Sequence, residues 1–248
     1  MPDKAMILAA GLGMRMRPIT EITPKPLIPV GGKPMIDYAL DSLARENVGK
    51  VVVNVHHLAD QLIDHLAARK GGEVAISDER EELLDSGGAI VKALPLLGGG
   101  DFYVLNADTF WLEQAGAAVS NLARLAAAWN PSEMDMLLLT TTPDRAVGYD
   151  AAGDFLYRTD GRLTRYDGIS DRPVIYAGAA LMSARIFDRA PKGPFSLNLC
   201  FDEAIASERL FGVGMDGLWL TVGTPEAIAL AEAAMRAFED SKQPDFLS

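Results

Sequence analysis

Cysteine is nearly absent. Cys200 is the only one in 248 residues, so no disulfide can form within the chain. A crosslinked scaffold is excluded, and the composition suits a reducing cytoplasm. Cys200 lies between Leu199 and Phe201, which marks it as a small core residue rather than a nucleophile. No apolar run approaches the roughly 20 residues that span a bilayer, and the N-terminus lacks the charged, apolar and cleavable regions of a secretion signal. Positive charge is also scarce. The 23 Lys and Arg are outnumbered by 34 Asp and Glu, giving a formal net charge of −11. Such an acidic surface repels phosphate backbones and anionic lipid, so nucleic acid and membrane are not expected partners. A small phosphorylated ligand stays open, because it needs only a local positive pocket. Histidine is sparse as well. His56 and His57 have no third ligand at metal-like spacing, so they read as structural or substrate-facing residues rather than zinc ligands. His65 reads as solvated.

Apolar residues make up 49% of the chain, enough for a sizeable core. Continuous apolar runs at Ala5–Ala9, Val51–Val55, Phe102–Leu105 and Met136–Leu139 predict strands covered on both faces. Helical periodicity fills the gaps at Met35–Asn47, Ala59–Arg69, Gly88–Leu97 and Ala115–Trp129. Strand–helix alternation predicts an α/β sandwich with a mostly parallel sheet. Further on, Asp154–Arg158 and Arg162–Tyr166 flank Thr159-Asp160-Gly161, a hairpin signal. A strand at Ala177–Met182, a helix at Leu197–Ser207, a strand at Leu218–Val222 and a closing helix at Pro225–Phe238 follow. The expectation is one domain over residues 1–240, with a nucleotide-binding N-terminal half, a small antiparallel insertion in the C-terminal half, and a tail at 241–248. The acidic run Asp78–Glu82 reads as a solvated loop, and Trp111 and Trp129 read as packing residues.

The first strand runs straight into Leu8-Ala9-Ala10-Gly11-Leu12-Gly13-Met14-Arg15-Met16-Arg17-Pro18, and Thr23-Pro24-Lys25-Pro26-Leu27 comes soon after. Gly11 and Gly13 allow positive φ and close approach to a ligand. Successive N–H groups in such a turn form a nest for phosphate oxygens. Arg15, Arg17 and Lys25 concentrate cations in an otherwise acidic chain, and the flanking prolines stiffen the segment. A dinucleotide fingerprint would need Gly where Met16 stands, and the Gly-Lys-Ser/Thr of a Walker loop is missing.

Leu8 to Pro34 resembles the signature of the sugar-phosphate nucleotidyltransferases, L-A-A-G-x-G-x-R-x-x-P followed by P-K-P-[LM]-x-P-V-x-G-[KQ]-P. Met14 stands where many members have Thr or Ser. Weaker echoes run to Glu226. The resemblance implies a Rossmann-like three-layer fold, a nucleoside triphosphate (NTP) and a sugar 1-phosphate as substrates, a nucleotide sugar and pyrophosphate as products, and Mg²⁺ as cofactor. It implies nucleotide contacts from Leu8, Ala10, Gly11, Gly13, Met14, Arg15 and Lys25. Arg15 is expected to stabilise the leaving phosphates, and Lys25 the α-phosphate or the attacking phosphate.

Downstream, Asp85-Ser86-Gly87-Gly88 opens a helix, with Asp85 or Ser86 as cap and the two glycines leaving room for a flat ligand. The run from Asp85 to Leu97 looks most like the N-acetylmuramate 1-phosphate uridylyltransferases of cell-wall sugar recycling, in which this segment packs against the base. Asn106-Ala107-Asp108 closes a strand where ligands bind in open α/β sheets. Asp is a hard oxygen ligand suited to Mg²⁺. The resemblance makes Asp108 the metal carboxylate and Asn106 a sugar contact. It also assigns sugar contacts to Asp154 in Gly153-Asp154-Phe155, to Gly178 in Tyr176-Ala177-Gly178-Ala179 and to Thr221. One departure stands out. Thr221 replaces the second metal carboxylate in Trp219-Leu220-Thr221-Val222-Gly223-Thr224. Two alternatives stay open, a mannose- or heptose-1-phosphate guanylyltransferase and a non-catalytic nucleotide-sugar sensor. Either a monomer or a homodimer is compatible with the pattern. No left-handed β-helix domain is expected after the closing helix.

Overall fold

The computed structural model describes residues 2–69, 73–114 and 116–240. The expected tail at 241–248 and Ala115 lie outside them. The strands are β1 (Lys4–Leu8), β2 (Pro29–Val30), β3 (Lys33–Pro34), β4 (Lys50–Val55), β5 (Glu73–Asp78), β6 (Asp101–Asn106) and β7 (Thr109–Leu112). They continue with β8 (Met136–Thr141), β9 (Ala146–Val147), β10 (Phe155–Tyr157), β11 (Leu163–Arg165), β12 (Ile175–Ser183), β13 (Leu210–Gly214) and β14 (Leu218–Thr221). The α-helices are α1 (Met35–Arg45), α2 (Ala59–Ala68), α3 (Asp85–Leu97), α4 (Asn121–Ala128), α5 (Asn198–Ala206) and α6 (Pro225–Asp240).

Seven strands form the central sheet in the order β13-β8-β12-β6-β1-β4-β5. All neighbouring pairs are parallel except those of β12, which runs antiparallel to both β6 and β8. Alternate side chains of β1 serve opposite faces, as strand geometry requires. Ala5 and Ile7 join one apolar cluster with Ile36 and Leu40 of α1, Leu62 of α2 and Leu122 of α4. Met6 joins the other cluster, with Ile90 of α3 and Phe201 of α5. Helices therefore cover both faces, giving the Rossmann-like three-layer sandwich. A smaller sheet, β7-β14-β9, lies beside it, and β10 and β11 form the expected hairpin. A third cluster joins Phe110, Leu220 and Ala227 to Met16 and Ile28 of the signature loop. That cluster fixes the loop to β7, β14 and α6.

Several details differ from the sequence reading. Asp78 ends β5, and Glu79 is fully buried, so the acidic run is not a solvated loop throughout. β5 and β13 are the two sheet edges. Each is short and mixed with polar residues or glycine, which hides the apolar pattern. α4 starts at Asn121 instead of 115, because the Ser120 hydroxyl accepts from Ala123 N at 3.0 Å and caps the helix there. α3 starts at Asp85 instead of 88. His65 is not freely solvated: its Nε2 lies 2.9 Å from Asp37 Oδ1. Cys200 is buried in the apolar cluster that includes Ile90 and Phe201, and that burial, with Glu203 nearby, pushes its thiol up to about 11.

A candidate active site at the strand ends

The C-terminal ends of β1, β4 and β6 and the residues just after β5 open onto one cleft of about 450 Å³. Open α/β sheets bind ligands at this edge. Leu8, Ala10 and Gly11 form one wall, Asn106 and Asp108 the floor, and Asp85 and Ser86 the far side.

A buried network sets the shape of that wall. Asn54 Oδ1 accepts from Ala9 N at 2.6 Å, and Asn54 Nδ2 donates to Glu79 Oε1 at 2.8 Å. Glu79 Oε2 accepts from Leu84 N at 3.1 Å. The ends of β1, β4 and β5 and the start of α3 are thus tied together by two side chains. A fully buried glutamate is rare unless its oxygens are satisfied, and both are satisfied here.

The two loop glycines have different reasons. Gly13 has φ +61, and an added Cβ would lie 2.7 Å from the Thr20 methyl. Gly11 does not take positive φ, contrary to the sequence expectation, and an added Cβ there meets no protein atom within 4 Å. Its exposed backbone faces the open cleft, where a side chain would occupy ligand space. The rest of the loop is held from outside. The Thr20 hydroxyl donates to Gly13 O at 2.9 Å, His57 Nε2 bonds Thr20 O at 2.6 Å, and Gln61 Nε2 donates to Ile22 O at 3.0 Å.

Lys25 reaches across the cleft floor. Its Nζ lies 2.5 Å from Asp108 Oδ2, with the lysine side chain 12% exposed and the aspartate 38%. Residues 83 apart in sequence, each expected to do chemistry, therefore meet. Thr221 is close by. It pairs with Thr109 across β14 and β7, and Val222 N donates to Asp108 O at 3.2 Å. The expected second-carboxylate position is thus next to Asp108 in the fold, with a neutral hydroxyl.

A smaller cavity of about 220 Å³ continues from the cleft, sharing Leu8, Ser86 and Asn106 with it. Asp154 lines this second cavity. Both its oxygens are engaged, Oδ1 by the Tyr149 hydroxyl at 2.7 Å and Oδ2 by Tyr176 N at 2.9 Å. Tyr176 also lines the cavity, and its hydroxyl is buried without a hydrogen-bond partner. That burial pushes its phenol well above the ordinary tyrosine range.

Other expected site residues lie elsewhere. Gly13, Met14 and Arg15 are on the loop outside the cleft lining. Arg15 is exposed beside Gly223, where an added Cβ would stand 3.2 Å from its guanidinium, and no carboxylate among the described residues pairs with it. Gly87 and Gly88 do not border open space where a side chain would project. An added Cβ on Gly87 would lie 2.2 Å from the Phe195 ring, and one on Gly88 would lie 2.6 Å from Gly193 O. Nor does Asp85 or Ser86 cap α3. Leu84 holds the cap position without a side-chain bond, and Ser86 Oγ accepts from Leu197 N at 2.9 Å. Gly178 (φ +72) allows close approach of Thr109, whose hydroxyl would be 2.1 Å from an added Cβ. It lies at an irregularity in the β12–β8 ladder and lines neither cavity. Sequence reasoning missed Asn54, Glu79, Arg165 and Tyr176. An asparagine inside the apolar run Val51–Val55 was the one available signal.

The family described as nucleotidyl transferase matches residues 4–149. An N-acetylmuramate alpha-1-phosphate uridylyltransferase from Caulobacter vibrioides is 42% identical over 238 residues, covering 94% of this chain and 97% of that protein. Its namesake from Neisseria meningitidis serogroup B is 34% identical over 238 residues, covering 93% and 99%. The solved inositol-1-phosphate CTP transferase from T. maritima superposes with a TM-score of 0.76 at 18% identity, covering 100% of this chain and 98% of that one. With a family model matched over more than half of its length and two relatives above 30% identity along nearly all of it, the chain belongs to the nucleotidyl transferase family.

Proposed function

We propose that this chain transfers the uridylyl group of UTP to N-acetylmuramate 1-phosphate, releasing pyrophosphate, as a step in cell-wall sugar recycling. The observation that carries the transfer is the meeting of Lys25 and Asp108 on the floor of a cleft whose wall is bare backbone at Gly11. The choice of UTP and N-acetylmuramate 1-phosphate rests on the 42% and 34% identical relatives that carry that activity in their names, and it favours this substrate pair over a guanylyltransferase.

The chemistry needs no protein nucleophile. A phosphate oxygen of the sugar 1-phosphate bonds to the α-phosphorus. The bond from that phosphorus to the bridging α,β oxygen breaks, and its electron pair leaves with pyrophosphate. The protein's part is positioning and charge neutralisation. Lys25, at the cleft floor, faces the α-phosphate or the incoming phosphate. Arg15, exposed and free of carboxylates among the described residues, is available to the leaving phosphates. The exposed backbone around Gly11 accommodates phosphate oxygens at close range.

The donor set fits a magnesium ion held sparsely. No group of three or more His, Cys, Asp or Glu able to hold a metal occurs among the described residues. Magnesium commonly takes one or two carboxylates and fills its shell with water and substrate phosphates. Asp108 is the residue that would hold it, and Thr221, next to it in the fold, would contribute a neutral hydroxyl. When bound, the ion supplies charge neutralisation and a template for the phosphates.

The test is a panel of UTP, GTP, CTP and dTTP against glucose, mannose, N-acetylglucosamine and N-acetylmuramate 1-phosphates, following pyrophosphate. The reading predicts the highest kcat/KM for UTP with N-acetylmuramate 1-phosphate. Preference for GTP with mannose 1-phosphate would replace it. Tight nucleotide binding without pyrophosphate release would make the chain a sensor.

A further inference from the structure

The smaller cavity carries a cation that the transfer chemistry does not use. Arg165 lines it, and it is the only cationic side chain among the lining residues. Its guanidinium carbon lies 5.0 Å from the Phe155 ring centroid and 5.6 Å from that of Phe201, so two aromatic faces hold it. Nε donates to Asp202 Oδ1 at 2.8 Å, and Nη2 donates to Asn198 O at 3.1 Å. The remaining N–H groups of the fork are uncommitted. Asp202 is 60% exposed, and a pair so well solvated binds weakly. Asp154, the other charge in the cavity, is already engaged through both oxygens by Tyr149 and Tyr176. The cavity therefore offers a ligand one accessible positive charge, that of Arg165.

A single uncommitted guanidinium edge there suits an anionic substituent. The cavity adjoins the cleft that holds the Lys25–Asp108 pair and shares Leu8, Ser86 and Asn106 with it, so it can take the part of a substrate that extends from a phosphate held there. We propose that Arg165 is a specificity residue that binds the lactyl carboxylate of N-acetylmuramate 1-phosphate and so distinguishes it from sugar 1-phosphates with no carboxylate. This rests on the function proposed above. Planar, bidentate recognition of a carboxylate is what a stacked arginine does best.

The experiment is a cycle between residue and substrate. Wild type, Arg165→Gln and Arg165→Lys are assayed with UTP and either N-acetylmuramate 1-phosphate or its neutral lactyl amide. Wild type should lose about 10- to 100-fold in kcat/KM on the amide, mostly through KM, the size of one charge-assisted hydrogen bond. In Arg165→Gln the acid and the amide should differ by less than about 3-fold, with Arg165→Lys between them. The proposal is overturned if wild type uses the two substrates equally, or if either variant discriminates as strongly as wild type. Because each comparison is made within one protein, lowered stability of a variant does not mimic the result. Should wild type fail to use the acid with UTP at all, the proposed function falls, and that outcome is distinct from a failed cycle.

Discussion

Among the described residues Lys25 has one close partner, and that partner is the carboxylate expected to face a metal. The pair holds Asp108 in place before substrate arrives, and the arriving phosphates compete for the same ammonium. Removing the cation while keeping the stem, in Lys25→Met, should lower kcat by about 10²–10³-fold, the usual loss of one preorganised charge in a site. Single-turnover kinetics read the effect, and a change below 3-fold would remove Lys25 from the chemistry. The glycines separate ligand space from packing space. Gly11→Ala should unfold at the wild-type temperature yet lose nucleotide affinity, because the added methyl meets no protein atom within 4 Å and projects where the ligand belongs. Gly88→Ala should cost about 1–3 kcal/mol of stability, because its methyl meets the backbone carbonyl of Gly193 at 2.6 Å and backbone yields less than a side chain. Thermal melts and nucleotide titrations distinguish the two outcomes.

At the scale of elements, the cleft is a junction of strand ends joined by Asn54 and Glu79. Asn54→Ala removes an acceptor from Ala9 N and a donor from Glu79. Leaving buried polar groups unpaired costs about 1–3 kcal/mol. The Ala9–Ala10 wall should loosen with it, so KM for the nucleotide should rise more than kcat falls. An unchanged KM would mean that the network is structural only. Little of this junction was legible in the sequence. The strand–helix alternation was, because β1, β4, β6 and β8 are continuous apolar runs with burial on both faces. The edge strands β5 and β13 were not, since one face of pairing is missing and polar residues or glycine interrupt them. Glu79 was hidden in a run of acids that resembles a solvated turn, and its burial comes from partners far apart in the chain. The helix expected from 115 reads too long because alanines continue the pattern on both sides of Ser120, and only the side-chain cap sets the true start. The signature loop gave Lys25 and the strand end gave Asp108, but their contact needs the whole sheet. For Gly87, Gly88 and Gly178 the residue type was informative, and neighbouring protein takes up the space that an added Cβ would fill.

For the whole molecule, three apolar clusters divide the work. Two build the sandwich, and the third fastens the signature loop to β7, β14 and α6 through Met16 and Ile28. Thr221 lies on that third unit, one ladder step from Asp108. Thr221→Asp would restore a carboxylate there, and the magnesium concentration giving half-maximal rate should fall. A titration curve that does not move would show position 221 to be remote from the ion. The central claim is that this cleft joins a nucleoside monophosphate to a sugar phosphate. It is tested most directly by incubating the protein and N-acetylmuramate 1-phosphate with UTP labelled at either the α- or the γ-phosphorus. The account predicts α-label in the nucleotide sugar and γ-label in pyrophosphate, in equal amounts, with both lost in Asp108→Asn. Label from the γ-phosphorus on the sugar, or nucleotide bound without any transfer, would contradict it.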